Sequence, residues 1–110
     1  MVAPSKGSVV VIPFPFSDLS QSKLRPALVL AATSHDEFIM CQITSKPYSD
    51  PRVVTISDSD FEEGSLQVTS YVRPGKIFTA SSRLIADQVG RLKKESITKV
   101  INEVVKILSG

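Results

Sequence analysis

The 110-residue sequence is poor in the side chains on which much hydrolytic and redox chemistry depends, with one His, one Cys and no Trp. A lone histidine, His35, excludes a two-histidine acid–base pair, and its turn-like surroundings (ATSHDE) favour a solvated surface residue. Cys41 excludes an internal disulfide framework. With His35 it also falls short of the three or four soft or imidazole ligands of a zinc site, so no metal is expected. Inside an apolar strand and without a partner base, Cys41 reads as a small core residue rather than a nucleophile. The five Gly are isolated from one another, which removes a phosphate-cradling loop and nucleotide-driven chemistry. Apolar runs such as residues 26–32 stop far short of the ~20 residues a bilayer requires. Only Lys6 precedes Gly7 as a basic residue at the N-terminus, so no secretion signal is expected and the cytosol is the expected compartment.

Net positive charge is also scarce. Thirteen Lys plus Arg against eleven Asp plus Glu leave +2, which argues against binding nucleic acid by positive density alone. The distribution is uneven, however. Residues 1–57 hold five basic and four acidic groups, residues 58–63 hold Asp58, Asp60, Glu62 and Glu63, and residues 64–110 hold eight basic and three acidic groups. The C-terminal excess either forms one electropositive face or merely solvates a helix and two strands.

What is present is a succession of short β-branched runs, with seven Pro and five Gly at close intervals and neither repeat nor linker. That pattern predicts one β-rich domain over residues 1–110, and a chain of this size buries roughly two-thirds of its unfolded surface. Strands are predicted over residues 8–13 (SVVVIP), 27–32, 38–44 (FIMCQIT), 52–56, 70–78 (SYVRPGKIF) and 87–92 (DQVGRL). Pro13 and Pro15 should end the first of these, because proline cannot donate to a ladder, leaving 14–25 as a polar loop anchored by Phe14 and Phe16. Pro74 and Gly75 should force a bulge or an edge. The acidic segment DSDFEE (58–63) lacks the Gly and terminal Glu spacing of a calcium loop, so it reads as a solvated connection with Phe61 turned inward. Ile97, Val100, Ile101, Val104, Val105 and Leu108 mark a one-faced amphipathic helix, with Gly110 just past its end. Five or six strands followed by one packing helix predict a mainly β (α+β) domain, a small, strongly bent sheet or barrel rather than a βαβ fold.

Chemistry concentrates at Lys23-Leu24-Arg25-Pro26, where two cations stand at the mouth of a buried strand and Pro26 restricts Arg25 to an extended conformation. Hydroxyls at Thr44 and Ser45 close the third apolar strand. An Arg fork with a nearby hydroxyl makes an oxyanion or phosphate site, one candidate among several on spacing alone.

These residues sit in a wider pattern. KGSVVVIPFPFSDLS (6–20), KLRPALVL (23–30), FIMCQITS (38–45), SYVRPGKIF (70–78) and GRL (90–92) before an amphipathic helix occur in an order that resembles the PemK/MazF toxins of bacterial toxin–antitoxin pairs. The resemblance implies a small SH3-like barrel of the CcdB/PemK/MazF type with a C-terminal helix. It implies a metal-independent, sequence-specific endoribonuclease that cuts single-stranded mRNA, needs no cofactor, acts as a homodimer and is silenced by a cognate antitoxin. The family's catalytic Arg matches Arg25 and its catalytic Thr matches Thr44, with Ser45 beside it. In attack by a ribose 2′-hydroxyl, negative charge builds on a phosphorane that a planar guanidinium can hold by two oxygens. Thr44 would position the phosphate or share that charge. The family's RNA-flanking loop matches residues 14–24, which supply Ser17, Asp18, Gln21 and Lys23 as RNA contacts. Phe14 or Phe16 either stacks a base or anchors the loop, and Arg73 either faces RNA or pairs with a carboxylate. Ser8 stands where the family commonly has Asp, a departure that bears on hydrogen bonding around the site loop. The competing expectations on the same barrel are a non-catalytic module, acting on a protein target as CcdB-like toxins do or binding DNA or RNA as a regulator, and a structural subunit whose strands feed a dimer interface.

Overall fold

A computed structural model describes residues 3–15, 22–47 and 49–110. The chain runs β1 (Ser8–Pro15), β2 (Ser22–Ser34), β3 (Glu37–Thr44), β4 (Val54–Ile56), a 3-10 turn (Asp58–Asp60), β5 (Phe61–Gly64), β6 (Ser70–Ser81), a second 3-10 turn (Ser82–Leu84), β7 (Asp87–Leu92) and α1 (Lys94–Ser109). All pairings are antiparallel and the strand order is β4-β6-β3-β2-β1-β7-β5. Only the turn Asp58–Asp60 and its flanking residue separate the two edge strands in sequence. So short a link holds the edges close together, and the sheet therefore curls into a half-barrel, over which α1 packs against β6 and β4.

Both faces of the central strands are covered, which is why β1 and β2 read as continuous apolar runs rather than alternating ones. One face turns Val9, Leu28, Cys41, Ile43 and Val72 into the barrel, where Val100 and Val104 of α1 cap them. The other face carries Val10, Ile12, Ala27, Val29 and Met40, with Phe14 and Phe78 packed beside them. Cys41 is fully buried, and burial pushes its thiol up to about 12; it is a core residue, as its apolar setting suggests.

The prolines behave differently from expectation. β1 does not stop at Pro13: it pairs with β2 through Pro13↔Leu24, Phe14↔Lys23 and Pro15↔Ser22. The carbonyl of Val11 faces β7 and accepts the Ala86 N–H at 2.8 Å. Pro13 and Pro15, two and four residues on, turn their nitrogens to that same side, where pairing with β7 has already ended at Val11. No donor is needed there, so the prolines cost the ladder nothing, and residues 22–25 are strand rather than loop. Pro74 and Gly75 do produce a bulge: Cys41 pairs with Ile77 and Gln42 with Arg73, leaving residues 74–76 extra on β6. The acidic connection holds the 3-10 turn and a strand, β5, and Phe61 is buried as expected.

The helix begins earlier than its apolar pattern and is rotated slightly from it. Ser96, Val100 and Val104 are the buried positions, whereas Val105 and Leu108 are 54% and 72% exposed; in the final turn it is Ile107 that lies toward β6, near Gly75. Lys93 at its start offers no side-chain cap. Asp60 takes over that role from outside the helix, accepting from the Ser96 hydroxyl at 2.7 Å and from the Ser57 N–H at 2.8 Å, while its carbonyl accepts the Lys93 N–H. Burial opposes ionisation of Asp60, but the hydrogen bonds from Ser57 and Ser96 outweigh it and hold the carboxyl below its ordinary 3.8. A carboxyl with a lowered folded pKa contributes stability above the unfolded value and loses it as pH falls through the folded one. Asp60→Ala is expected to cost about 1–2 kcal/mol at pH 7 and to flatten the acid limb below about pH 4 in a pH series of thermal melts. An acid limb unchanged from wild type would refute the assignment.

Candidate functional site

Strand register gathers the candidate residues. Within β2, Lys23 and Arg25 lie on the face of Ala27 and Val29, since side chains alternate with a period of two and β2 pairs with β1 without a shift from Ser22 to Leu28. In β3, Gln42 and Thr44 share the face of Met40, and in β6, Tyr71 and Arg73 stand directly opposite them, Thr44↔Tyr71 and Gln42↔Arg73. Pairing of β2 with β3 ends at Ala27↔Gln42, next to Pro26, which has no N–H to offer β3. Continued by two residues, that register sets Arg25 facing Thr44. Lys23, Arg25, Gln42, Thr44, Tyr71 and Arg73 therefore leave one end of one sheet face, opposite the barrel core.

Their environments differ. Lys23 and Ser45 are exposed, Arg25 is half-buried and Thr44 is only 6% exposed. The Thr44 Oγ1 accepts the Lys46 N–H at 3.1 Å, which fixes its lone pairs and leaves its proton to donate outward. Arg73 Nε lies 3.5 Å from Asp50 Oδ2, both side chains 19% exposed, so of the two roles open to Arg73 the carboxylate pair is present. Asp50 also accepts the Arg52 N–H at 2.9 Å, and through it Arg73 holds the segment that follows Thr44. Ser17, Asp18, Gln21 and Phe16 lie outside the described residues. Phe14 meets Phe78 edge-on, ring centroids 4.8 Å apart, which is an anchoring contact.

Other features fall away from this end of the sheet. His35 is exposed in the β2–β3 turn, at the far end of β2 from Arg25. Its neighbour Asp36 accepts from the Ser82 and Ser81 hydroxyls, which with Arg83 hold its carboxyl below the usual range. Ser8 is fully buried and its Oγ accepts the Ser5 N–H at 3.0 Å. It closes an N-terminal turn about 13 Å along β1 from Ile12, the partner of Arg25. Among the described residues no group of three or more His, Cys, Asp and Glu could hold a metal ion, and no helix is long and apolar enough to cross a membrane. Of the eight basic residues after position 63, Arg73, Arg83, Arg91 and Lys106 each pair with a different carboxylate. The cations of the site come mainly from β2. Motif reading missed Gln42 and Tyr71; the alternation within FIMCQIT was the signal for Gln42, since it shares a parity with Thr44.

The fold and this face define a small curled-sheet protein with a C-terminal helix and a cationic, hydroxyl-bearing strand end. Residues 5–108 match the family model of the PemK-like, MazF-like toxin of type II toxin-antitoxin system, and the chain belongs to that family. MazF from Deinococcus radiodurans superposes with a TM-score of 0.77 at 22% identity, covering 100% of both chains. The MazE-MazF structure from the same organism gives 0.79 at 20% identity over 99% of this chain and 98% of that one. An endoribonuclease in complex with its cognate antitoxin from Mycobacterial species gives 0.73 at 18% identity over 99% and 96%. At these identities the likeness is one of fold. Among curated proteins no sequence matches closely enough to count as a relative.

Proposed function

We propose that the protein is a metal-independent, sequence-specific endoribonuclease that cleaves single-stranded mRNA, acting as the toxin of a toxin–antitoxin pair. The observation that carries this reading is that Lys23, Arg25, Thr44 and Arg73 leave one end of one sheet face, where the β2–β3 register, continued two residues past its last pair, would set Arg25 opposite Thr44. The 2′-oxygen of a ribose attacks the adjacent phosphorus while its proton passes to an acceptor. The P–O5′ bond then breaks as the leaving oxygen takes up a proton, giving a 2′,3′-cyclic phosphate and a free 5′-hydroxyl. Arg25 binds two non-bridging oxygens of the phosphorane. Thr44, its oxygen held by the Lys46 N–H, donates its proton to the same phosphate. Lys23 and Ser45 contact the flanking backbone, and Arg73 adds positive field while paired with Asp50. Ser17, Asp18 and Gln21 complete the RNA contacts. A homodimer and a cognate antitoxin belong to the same reading, as in the MazE-MazF and endoribonuclease–antitoxin complexes of similar fold.

Purified protein should cleave single-stranded RNA in EDTA, with primer extension mapping short recurrent sites. Intact RNA across diverse substrates would overturn the proposal, and growth arrest that survives Arg25→Ala would favour a non-catalytic toxin on the same fold. Thr44→Val, which keeps the shape and removes the hydroxyl, is expected to lower kcat about 10- to 100-fold, the loss of one neutral donor to a charged centre. Its melting temperature should stay close to that of wild type.

A further inference from the structure

A cavity of about 370 Å³ opens on the same sheet face, immediately beside the proposed site. Its walls are Ile12 and Phe14 of β1, Gln42 of β3, and Lys76, Phe78 and Thr79 of β6. The sheet order puts β2 between β1 and β3, and the cavity takes its walls from the strands on either side of β2. Ile12, one strand spacing of about 4.8 Å from Arg25, is a member of both settings: it pairs with Arg25 and it lines the cavity. The lining is mainly apolar and the Phe14–Phe78 pair offers ring faces and edges at one side. Polar side chains are few: the half-buried Gln42 and the exposed Lys76 and Thr79. A flat apolar slot with one amide at its edge suits a nucleobase, whose faces are apolar and whose edge alone is polar. The volume of about 370 Å³ is at the small end of ligand pockets, about 300–1,000 Å³, and is ample for one base.

We propose that this cavity receives an adenine base next to the phosphate held at Arg25, and that Gln42 reads its edge; this rests on the RNA-cleaving function proposed above. A carboxamide carries a donor and an acceptor side by side and pairs in two hydrogen bonds with the adenine N6 amino group and N7. Gln42 is placed for that reading by backbone, since it lies in β3 two residues before Thr44, in the stretch where β3 pairs with both neighbours. Lys76, at the mouth, takes the phosphate on the outer side of the same nucleotide.

The test uses fluorescence anisotropy with full-length protein and single-stranded oligonucleotides bearing 2′-fluoro sugars, which lack the attacking hydroxyl. Four probes differ only in a central A, G, C or U within a uridine background. Wild type should bind the A probe about tenfold or more tightly than the others. In Gln42→Leu the four probes should bind alike, and Gln42→Glu should shift preference toward cytosine, whose N4 amino group donates to a carboxylate. A preference for any base other than adenine in wild type overturns the assignment, as does an adenine preference that Gln42→Leu leaves intact. So does a change in sedimentation of Gln42→Leu with unchanged base preference, which would give the cavity to a second copy of the chain. Adenine-selective binding without cleavage of the matching 2′-hydroxyl RNA would refute the nuclease function alone and leave the base pocket standing.

Discussion

Arg25→Ala is expected to lower the rate of RNA cleavage by about 10²–10³-fold, the loss seen when one preorganised donor to a developing oxyanion is removed. The change should fall on kcat, with KM little altered, because the guanidinium meets its full complement of charge only in the phosphorane. Arg25 projects from the face opposite the barrel core and its backbone pairs with Ile12 whatever the side chain, so the melting temperature should stay near that of wild type. Arg25→Lys separates geometry from charge. It restores a cation but replaces a planar fork that spans two oxygens with a point charge, and recovery by no more than about tenfold is expected. Single-turnover kinetics with one mapped RNA site measure both variants. A kcat for Arg25→Ala within threefold of wild type would remove Arg25 from the chemistry, and full rescue by Lys would show that field alone suffices.

The strength of that expectation depends on how the chain builds the site, and the parts of that construction differ in how plainly the sequence carries them. The helix was legible because its apolar period is 3.6 and nothing else in the chain has that period. The cores of the four long strands, β1, β2, β3 and β6, were legible as apolar runs rich in β-branched residues. β5 was not, because FEEG has one buried residue in four and is a strand only through its pairing with β7, a tertiary fact. The extent of the β1–β2 hairpin was hidden by Pro13 and Pro15, whose tolerance depends on which side of β1 their nitrogens face. Arg25 and Thr44 stood out through an R-P motif and a strand end within a family pattern. Their presence on one sheet face is a matter of register, and register emerges only when the strands are paired. Gln42 sits between apolar neighbours in sequence, and its place beside a cavity depends on the three-residue bulge in β6, next to which Lys76 and Phe78 line the same space.

The same strand that carries Gln42 and Thr44 outward carries Ile43 inward, which couples the site to the core. Ile43 is fully buried among Leu28, Ile56, Val72 and Val100. Ile43→Ala removes three carbons from the centre of the barrel and is expected to cost about 3–5 kcal/mol, transfer and cavity terms together. That is a large share of the roughly 5–15 kcal/mol by which a domain of this size is stable. With about 4–8 °C of melting temperature lost per kcal/mol for small domains, and somewhat less toward 150 residues, the melt should fall by more than 10 °C. Ile43→Val keeps the branch at Cβ and removes one methyl, so a cost of about 0.5–1.5 kcal/mol is expected. Thermal and urea melts of the pair measure the gradation, and equal costs for the two variants would show that the barrel collapses around this position rather than leaving a void. At a temperature where Ile43→Ala remains folded, its cleavage rate should still fall below that of Ile43→Val. A void on the inner side of β3 lets the strand shift, and Gln42 and Thr44 move with it relative to Arg25, so the outer face loses alignment in proportion to what the inner face has lost in packing.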